Sequence, residues 1–250
     1  MRTIRILLTL AFALLLGGAC QAEARAAKLA FVGDSMADGI WGAFFRVTGN
    51  QKCPSAVIDL IRDARNGSGL ARPDHYDWEK DLDTLISGEQ PDVVLASIGL
   101  NDRQALVTRD RQQIRLGTDE WLANYRANVE SFYKHAAAGG ARVLVIGLPV
   151  LRDAKANAHA QLVNQIFADV AKSDATLNVT YVQPWQSDDG DGSFASFGHD
   201  LGGSTVEIRA PDGIHFTQAG YDLLAAYLKS AVSSALAEKG VPVDATCFGK

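Results

Sequence analysis

Short apolar runs bounded by glycine or proline recur along this 250-residue chain, separated by longer segments of helical period. That alternation is the pattern of a parallel sheet covered by helices on both faces, and it fixes the class as α/β. Leu29 to Val32, Ala56 to Ile61, Val93 to Ile98, Val143 to Ile146 and Val179 to Val182 read as five strands, rich in the residues that suit burial on both sides. Trp121, Tyr125, Val129 and Phe132 recur at helical spacing, so Thr118 to Ala138 is expected to be an amphipathic helix ended by Gly139-Gly140. Leu223, Leu224, Tyr227, Leu228 and Val232 mark a last helix, its start signalled by Thr217. The simplest topology is a flavodoxin-like three-layer α/β/α sandwich of strand order 2-1-3-4-5, which places sites beyond the carboxyl ends of its strands. One insertion-like stretch, Ser187 to Arg209, opens on an acidic run and suggests a small hairpin over the mouth of the fifth strand. The run reads as a solvated turn, because Phe194 stands where a calcium loop needs its glycine.

Arg2 and Arg5 precede an apolar run, Ile6 to Leu16, and then small residues, so residues 1–26 read as an export signal and 27–250 as one domain. The run is well short of the ~20 residues that span a bilayer, and no membrane segment is expected in the mature chain. Ala22-Glu23-Ala24 and Ala24-Arg25-Ala26 both offer cleavage sites, and Gly17-Gly18-Ala19-Cys20 offers lipid anchoring; simple cleavage is favoured, leaving a periplasmic or secreted protein. Cys53 and Cys247 then remain as an even pair in a compartment that permits disulfides, and a bond between them is expected. The net charge of −5 offers no broad basic field for nucleic acid.

Four segments carry chemistry. Ser35, in Gly33-Asp34-Ser35, lies just past the first strand, where it is either an N-cap or a nucleophile at a helix start. Asn66-Gly67-Ser68-Gly69 follows the second strand and Gly99-Leu100-Asn101-Asp102 the third; each alone is a good turn. Asp212-Gly213-Ile214-His215 precedes the last helix and supplies an imidazole with a carboxylate to fix its tautomer. Arg103 and Arg72 on loops after strands, and Trp185 after the fifth strand, are candidates for gripping an anion or stacking on a sugar. Trp41, Trp78 and Trp121 are expected in the core, and Phe44 and Phe45 buried. The histidines at 75, 135, 159 and 199 show no metal-ligand spacing.

Taken together and in order, these blocks resemble those of the SGNH (GDSL-like) hydrolase superfamily, from about Lys28 to the last helix. The resemblance implies Ser35 as nucleophile, His215 as base and Asp212 as its orienter. It also implies an oxyanion hole from the Ser35 N–H, a block-two glycine and the Asn101 side chain. Gly69 fits the small-residue-then-glycine pattern best, with Gly67 as the alternative. Met36 in place of the usual leucine, and Leu70-Ala71-Arg72-Pro73-Asp74 after Gly69, are departures similar to a bacterial envelope branch. The implied activity is an exported serine esterase that removes a short acyl group, acetyl above all, from an envelope or extracellular saccharide, without metal or organic cofactor. An O-acyltransferase on envelope glycans and a lipase or thioesterase are the alternatives, and a non-catalytic glycan-binding protein a third class.

Overall fold

The computed structural model describes residues 25–50, 57–186 and 192–248. In chain order the elements are β1 (Ala27–Gly33), α1 (Ser35–Asn50), β2 (Ile58–Ala64), α2 (Trp78–Glu89), β3 (Val93–Ser97), β4 (Leu106–Val107), β5 (Gln113–Ile114) and α3 (Asp119–Ala136). After a 3-10 turn come β6 (Arg142–Ile146), α4 (Ala154–Ser173), β7 (Val179–Val182), β8 (Phe197–His199), β9 (Thr205–Glu207) and α5 (Gln218–Glu238). A second 3-10 turn, Ala245–Phe248, follows.

β2-β1-β3-β6-β7 form one sheet in which every pairing is parallel, so the expected order holds once the two small hairpins are set aside. Alternate residues of each central strand enter different cores. Ala30, Val32, Val94, Ala96, Val143 and Val145 face α2, α3 and α4, where Trp121, Tyr125 and Phe167 are fully buried. Leu29, Phe31, Val93, Leu95, Leu144 and Ile146 face α1 and α5. This two-sided burial is why the strands read as continuous apolar runs rather than alternating ones.

β2 starts and ends later than its apolar run suggests. As an edge strand it carries Asp59, Arg62 and Asp63, and its pairing with β1 extends through Gly33 opposite Ala64, beyond the last apolar residue of the run. Thr118 caps α3 through its side chain, but the helix ends at Ala136, and Gly139 with φ of 69° turns the chain within the 3-10 segment. The insertion does form a hairpin, β8 with β9, whereas β4 with β5 was not anticipated. The acidic run at 188–191 lies outside the described residues.

Trp78 and Trp121 are in the core as expected. Phe44 is too, but Phe45 is 59% exposed and stacks on a half-buried Trp41, because it sits on the outer face of α1. Cys247 is buried beside α1 and α5, while Cys53 and the leader up to residue 24 lie outside the described residues. Among the described residues no helix is long and apolar enough to cross a membrane.

α1 and α5 approach closely because Gly39 lacks a side chain: a Cβ there would stand 2.0 Å from the Tyr221 ring. Gly39→Ala is therefore expected to cost about 1–3 kcal/mol through overpacking, more than the ~1 kcal/mol that alanine returns in helix propensity. Urea unfolding checks this: the midpoint falls at constant slope, and an unchanged or raised midpoint contradicts the close-packing account.

Candidate active site

The chain reverses its direction of growth across the sheet between β1 and β3, and the segments after those two strands meet at the carboxyl edge. Gly33 ends β1 with φ of 137°, and any Cβ there would lie 1.9 Å from the Ser97 carbonyl oxygen, so only glycine lets the two strand ends come together. Asp34 follows. Its Oδ1 accepts from the Met36 N–H at 2.9 Å, making Asp34 rather than Ser35 the cap of α1. Ser35 is freed to project from the first turn of the helix.

The second Asp34 oxygen accepts from the Leu100 N–H at 3.1 Å, which ties the loop after β3 to the start of α1. In that loop Asn101 donates its side-chain amide to the Ser68 carbonyl at 2.8 Å. The bond uses one of the two amide hydrogens and fixes the direction of the other. Asp102 is fully buried and accepts from the Leu70 and Ala71 N–H groups, both at 2.9 Å, and from the Tyr125 hydroxyl at 2.7 Å. A Cβ on Gly69 would lie 2.0 Å from this carboxylate, so Asp102 dictates glycine there; Gly67, by contrast, faces open space. Among the described residues neither Ser35 nor Gly69 gives its backbone N–H to a protein acceptor.

His215 Nε2 lies 2.7 Å from Ser35 Oγ, and its Nδ1 lies 2.7 Å from Asp212 Oδ2. The other Asp212 oxygen accepts from the Ile214 and His215 N–H groups at 2.8 and 3.0 Å, so one carboxylate sets both the loop and the ring. Partial burial draws the Asp212 carboxyl upward, but the His215 hydrogen bond and the two backbone bonds prevail and hold it at about 2. Arg209, 4% exposed, donates to the carbonyls of Val150 and Ile214 at 2.7 Å and of His215 at 3.4 Å, and burial pulls its guanidinium down to about 10. It packs over the Phe194 and Phe216 rings.

The structure thus gathers Ser35, Gly69, Asn101, Asp212 and His215 at one edge. Arg103 is exposed on the Asn101 loop, close enough to His159 to disfavour its protonation after burial has done so. Trp185 is half-buried against Phe216, the neighbour of His215. Arg72 pairs with Asp74 at 2.8 Å. Asp34, Asp102 and Arg209 were not singled out from the sequence. The first two sit inside the motifs, and their acidic character beside an apolar strand was the available signal; Arg209 left none.

Residues 28–231 match the family described as "Protein of unknown function (DUF459)". The chain belongs to the DUF459 family. No curated protein sequence matches it. The fold of this DUF459 chain is shared with TesA, at TM-score 0.54 and 19% identity, covering 84% of this chain and 99% of that one. It is shared with a carbohydrate esterase family 3 protein from Talaromyces cellulolyticus, at TM-score 0.57 and 13% identity over 85% and 99% of the two chains. It is shared too with a catalytic variant of Axe2, an acetylxylan esterase from Geobacillus stearothermophilus, at TM-score 0.54 and 15% identity over 89% and 98%. What this chain shares with them is the α/β fold with its parallel sheet.

Burial pushes the Asp34 carboxyl up to about 7 and, with help from Asp81, the Asp63 carboxyl up to about 6. Between about pH 4 and 7 the folded DUF459 chain therefore retains protons that the unfolded chain has released, and stability falls as pH rises through that window. Asp34 alone contributes a drop on the order of 4 kcal/mol, partly offset by His159, which burial keeps neutral. Asp212 acts oppositely below about pH 4, where its stabilising charge is lost. The thermal midpoint is expected to peak near pH 4–5 and decline toward pH 7; a midpoint that climbs through this range contradicts the assignment.

Proposed function

We propose that this chain is an exported serine esterase that removes a short acyl group from an ester of a cell-envelope or extracellular saccharide through an acyl-serine. The observation that carries the reading is the relay from Ser35 Oγ through His215 to Asp212, with 2.7 Å at each step. A serine hydroxyl needs a base in contact and a base needs a third group to hold its tautomer. With Nδ1–H directed to Asp212, Nε2 is the acceptor of the Ser35 proton.

In the first half-reaction Ser35 Oγ attacks the ester carbonyl while His215 takes its proton. The tetrahedral oxyanion is received by the Ser35 and Gly69 N–H groups and the free amide hydrogen of Asn101. Collapse breaks the bond to the saccharide oxygen, which leaves with the proton from His215. Water, deprotonated by the same imidazole, then attacks the acyl-serine carbonyl; collapse breaks the bond to Ser35 Oγ, which takes the proton back from His215, and the carboxylic acid leaves. No step calls on a metal or organic cofactor. The esterases among the structural neighbours, which include an acetylxylan esterase, support a short acyl group and a saccharide. Arg103, on the loop that carries Asn101, and Trp185, packed on the Phe216 ring next to His215, are assigned to substrate contact.

Export is part of the reading. Of the two cleavage sites, the one after Ala24 keeps Arg25 with the mature chain, and Arg25 makes a bidentate pair with Asp92 at 2.8 and 2.5 Å. We assign Cys53 and Cys247 to a disulfide, which closes a long loop and in the chain-entropy account contributes up to ~5 kcal/mol.

A fluorophosphonate probe is expected to label the intact protein but not Ser35→Ala, and labelling of neither contradicts the esterase reading. Asn101→Ala is expected to fold and to lose about 10²–10³ in turnover of p-nitrophenyl acetate, the usual cost of one oxyanion donor; unchanged turnover removes Asn101 from the assignment. The intact mass of the unreduced mature protein is expected to fit a chain cleaved at one of the two small-x-small sites, starting at Arg25 or Ala27, with one disulfide. An uncleaved N-terminus, or two titratable thiols after denaturation, overturns the corresponding part.

A further inference from the structure

Gly69, one of the proposed oxyanion donors, also lines a cavity of about 240 Å³. Its walls come from the loop after β2, the start of α2, the β4–β5 hairpin region and α3, and through Gly69 it adjoins the proposed oxyanion donors. Its floor is apolar: Leu70, Trp78, Leu106 and Phe132 are each no more than 5% exposed. Its rim is polar and rich in acceptors. Asn124 and Asn128, one turn apart on α3, already give an N–H to the Glu120 and Leu70 carbonyls, and both line the cavity. Asp77 and Glu79 are held opposite by Arg109 at 2.9 and 2.5 Å, and Glu79 also accepts from Ser131.

This lining selects among ligands. An acyl chain would satisfy the floor but strip water from two carboxylates and two amides without replacing their hydrogen bonds. A free anion would meet Asp77 and Glu79, whose charges leave Arg109 without a surplus. A sugar ring offers hydroxyl donors to the rim and an apolar face to the floor. Resting on the esterase reading above, we infer that this cavity is a saccharide subsite, which holds a ring of the glycan whose ester is presented to Ser35.

Saturation-transfer NMR with unacylated xylohexaose, cellohexaose and chitohexaose tests binding directly. At least one is expected to give signals in the wild-type protein that are lost in Asn124→Trp, which fills the cavity, and weakened in Asn124→Ala, which removes only an amide. Circular dichroism reports whether each variant is folded. Kinetics supply a second readout: in Asn124→Trp, kcat/KM for an O-acetylated oligosaccharide of the bound type falls at least tenfold relative to that for p-nitrophenyl acetate, through KM. Absence of binding by all three oligosaccharides, or binding retained in folded Asn124→Trp, overturns the subsite. A selective loss of long-chain p-nitrophenyl ester hydrolysis in that variant also overturns it, in favour of an acyl pocket. Failure of the wild-type protein to hydrolyse either ester counts against the esterase reading alone, because the NMR result then decides for the cavity.

Discussion

Two buried carboxylates hold the rim of this molecule in register. Asp34 joins the start of α1 to the loop after β3, and Asp102, in that loop, joins it to the loop after β2. Three segments that are remote in sequence thereby become one body. Neither carboxylate is fully compensated by a cation; each relies on N–H groups and, for Asp102, a tyrosine hydroxyl. Charge-assisted bonds return about 1.5–3 kcal/mol each, whereas desolvating an ion costs several. Desolvation prevails over these bonds, and the upward pull of burial on both carboxyls expresses it. Their consequence is therefore position more than stability: they set where the Ser35, Gly69 and Asn101 donors stand relative to one another.

The fourth segment is built separately. Asp212 turns its own loop by accepting from two backbone N–H groups before it reaches the imidazole, so the orientation of His215 does not depend on a bond to the rest of the rim. Arg209 then fastens that loop to the segment after β6 by gripping carbonyls on both. Arg152 adds a bond to the Pro211 carbonyl at 2.7 Å and packs over Phe194. A guanidinium suits this task because its planar fork reaches several carbonyls at once and its faces lie on aromatic rings. The insertion is linked to the backbone of the His215 loop through the same stack, since Phe194 belongs to it.

The sheet was legible in the sequence because each central strand is buried on both faces, which leaves unbroken apolar runs. β2 was legible only in its first half, since an edge strand tolerates Arg62 and Asp63 where a central one would not. The β4–β5 hairpin was illegible for a plainer reason: two-residue strands carry no periodicity, and theirs is held to the body by the bond from the Val107 N–H to the Ala71 carbonyl. Ser35, Asn101, Asp212 and His215 were found as a set because their blocks, with that of Gly69, fall in order, three directly after consecutive strands and the last before the final helix. The supports were missed because their partners are backbone groups. A carboxylate that binds two N–H groups from another loop has no sequence signature beyond its own letter, and Arg209, with carbonyl partners, has even less.

Exposure of the proposed relay bears on how it would work. The Asp212 side chain is 44% exposed and that of His215 is 35% exposed. Solvent that reaches both groups screens the contact between the carboxylate and the ring. Backbone bonds keep the geometry in place at no cost to the free protein, but the low dielectric that strengthens such contacts must come from elsewhere. On the esterase reading it comes from the substrate. A glycan that lies from the Trp185 side across Ser35 to the cavity at Gly69 would displace water from the imidazole and the oxyanion donors together. A small ester that touches only Ser35 would leave the relay wet. The same geometry that opens this edge to a polymer thus makes turnover depend on how much of the rim the substrate covers.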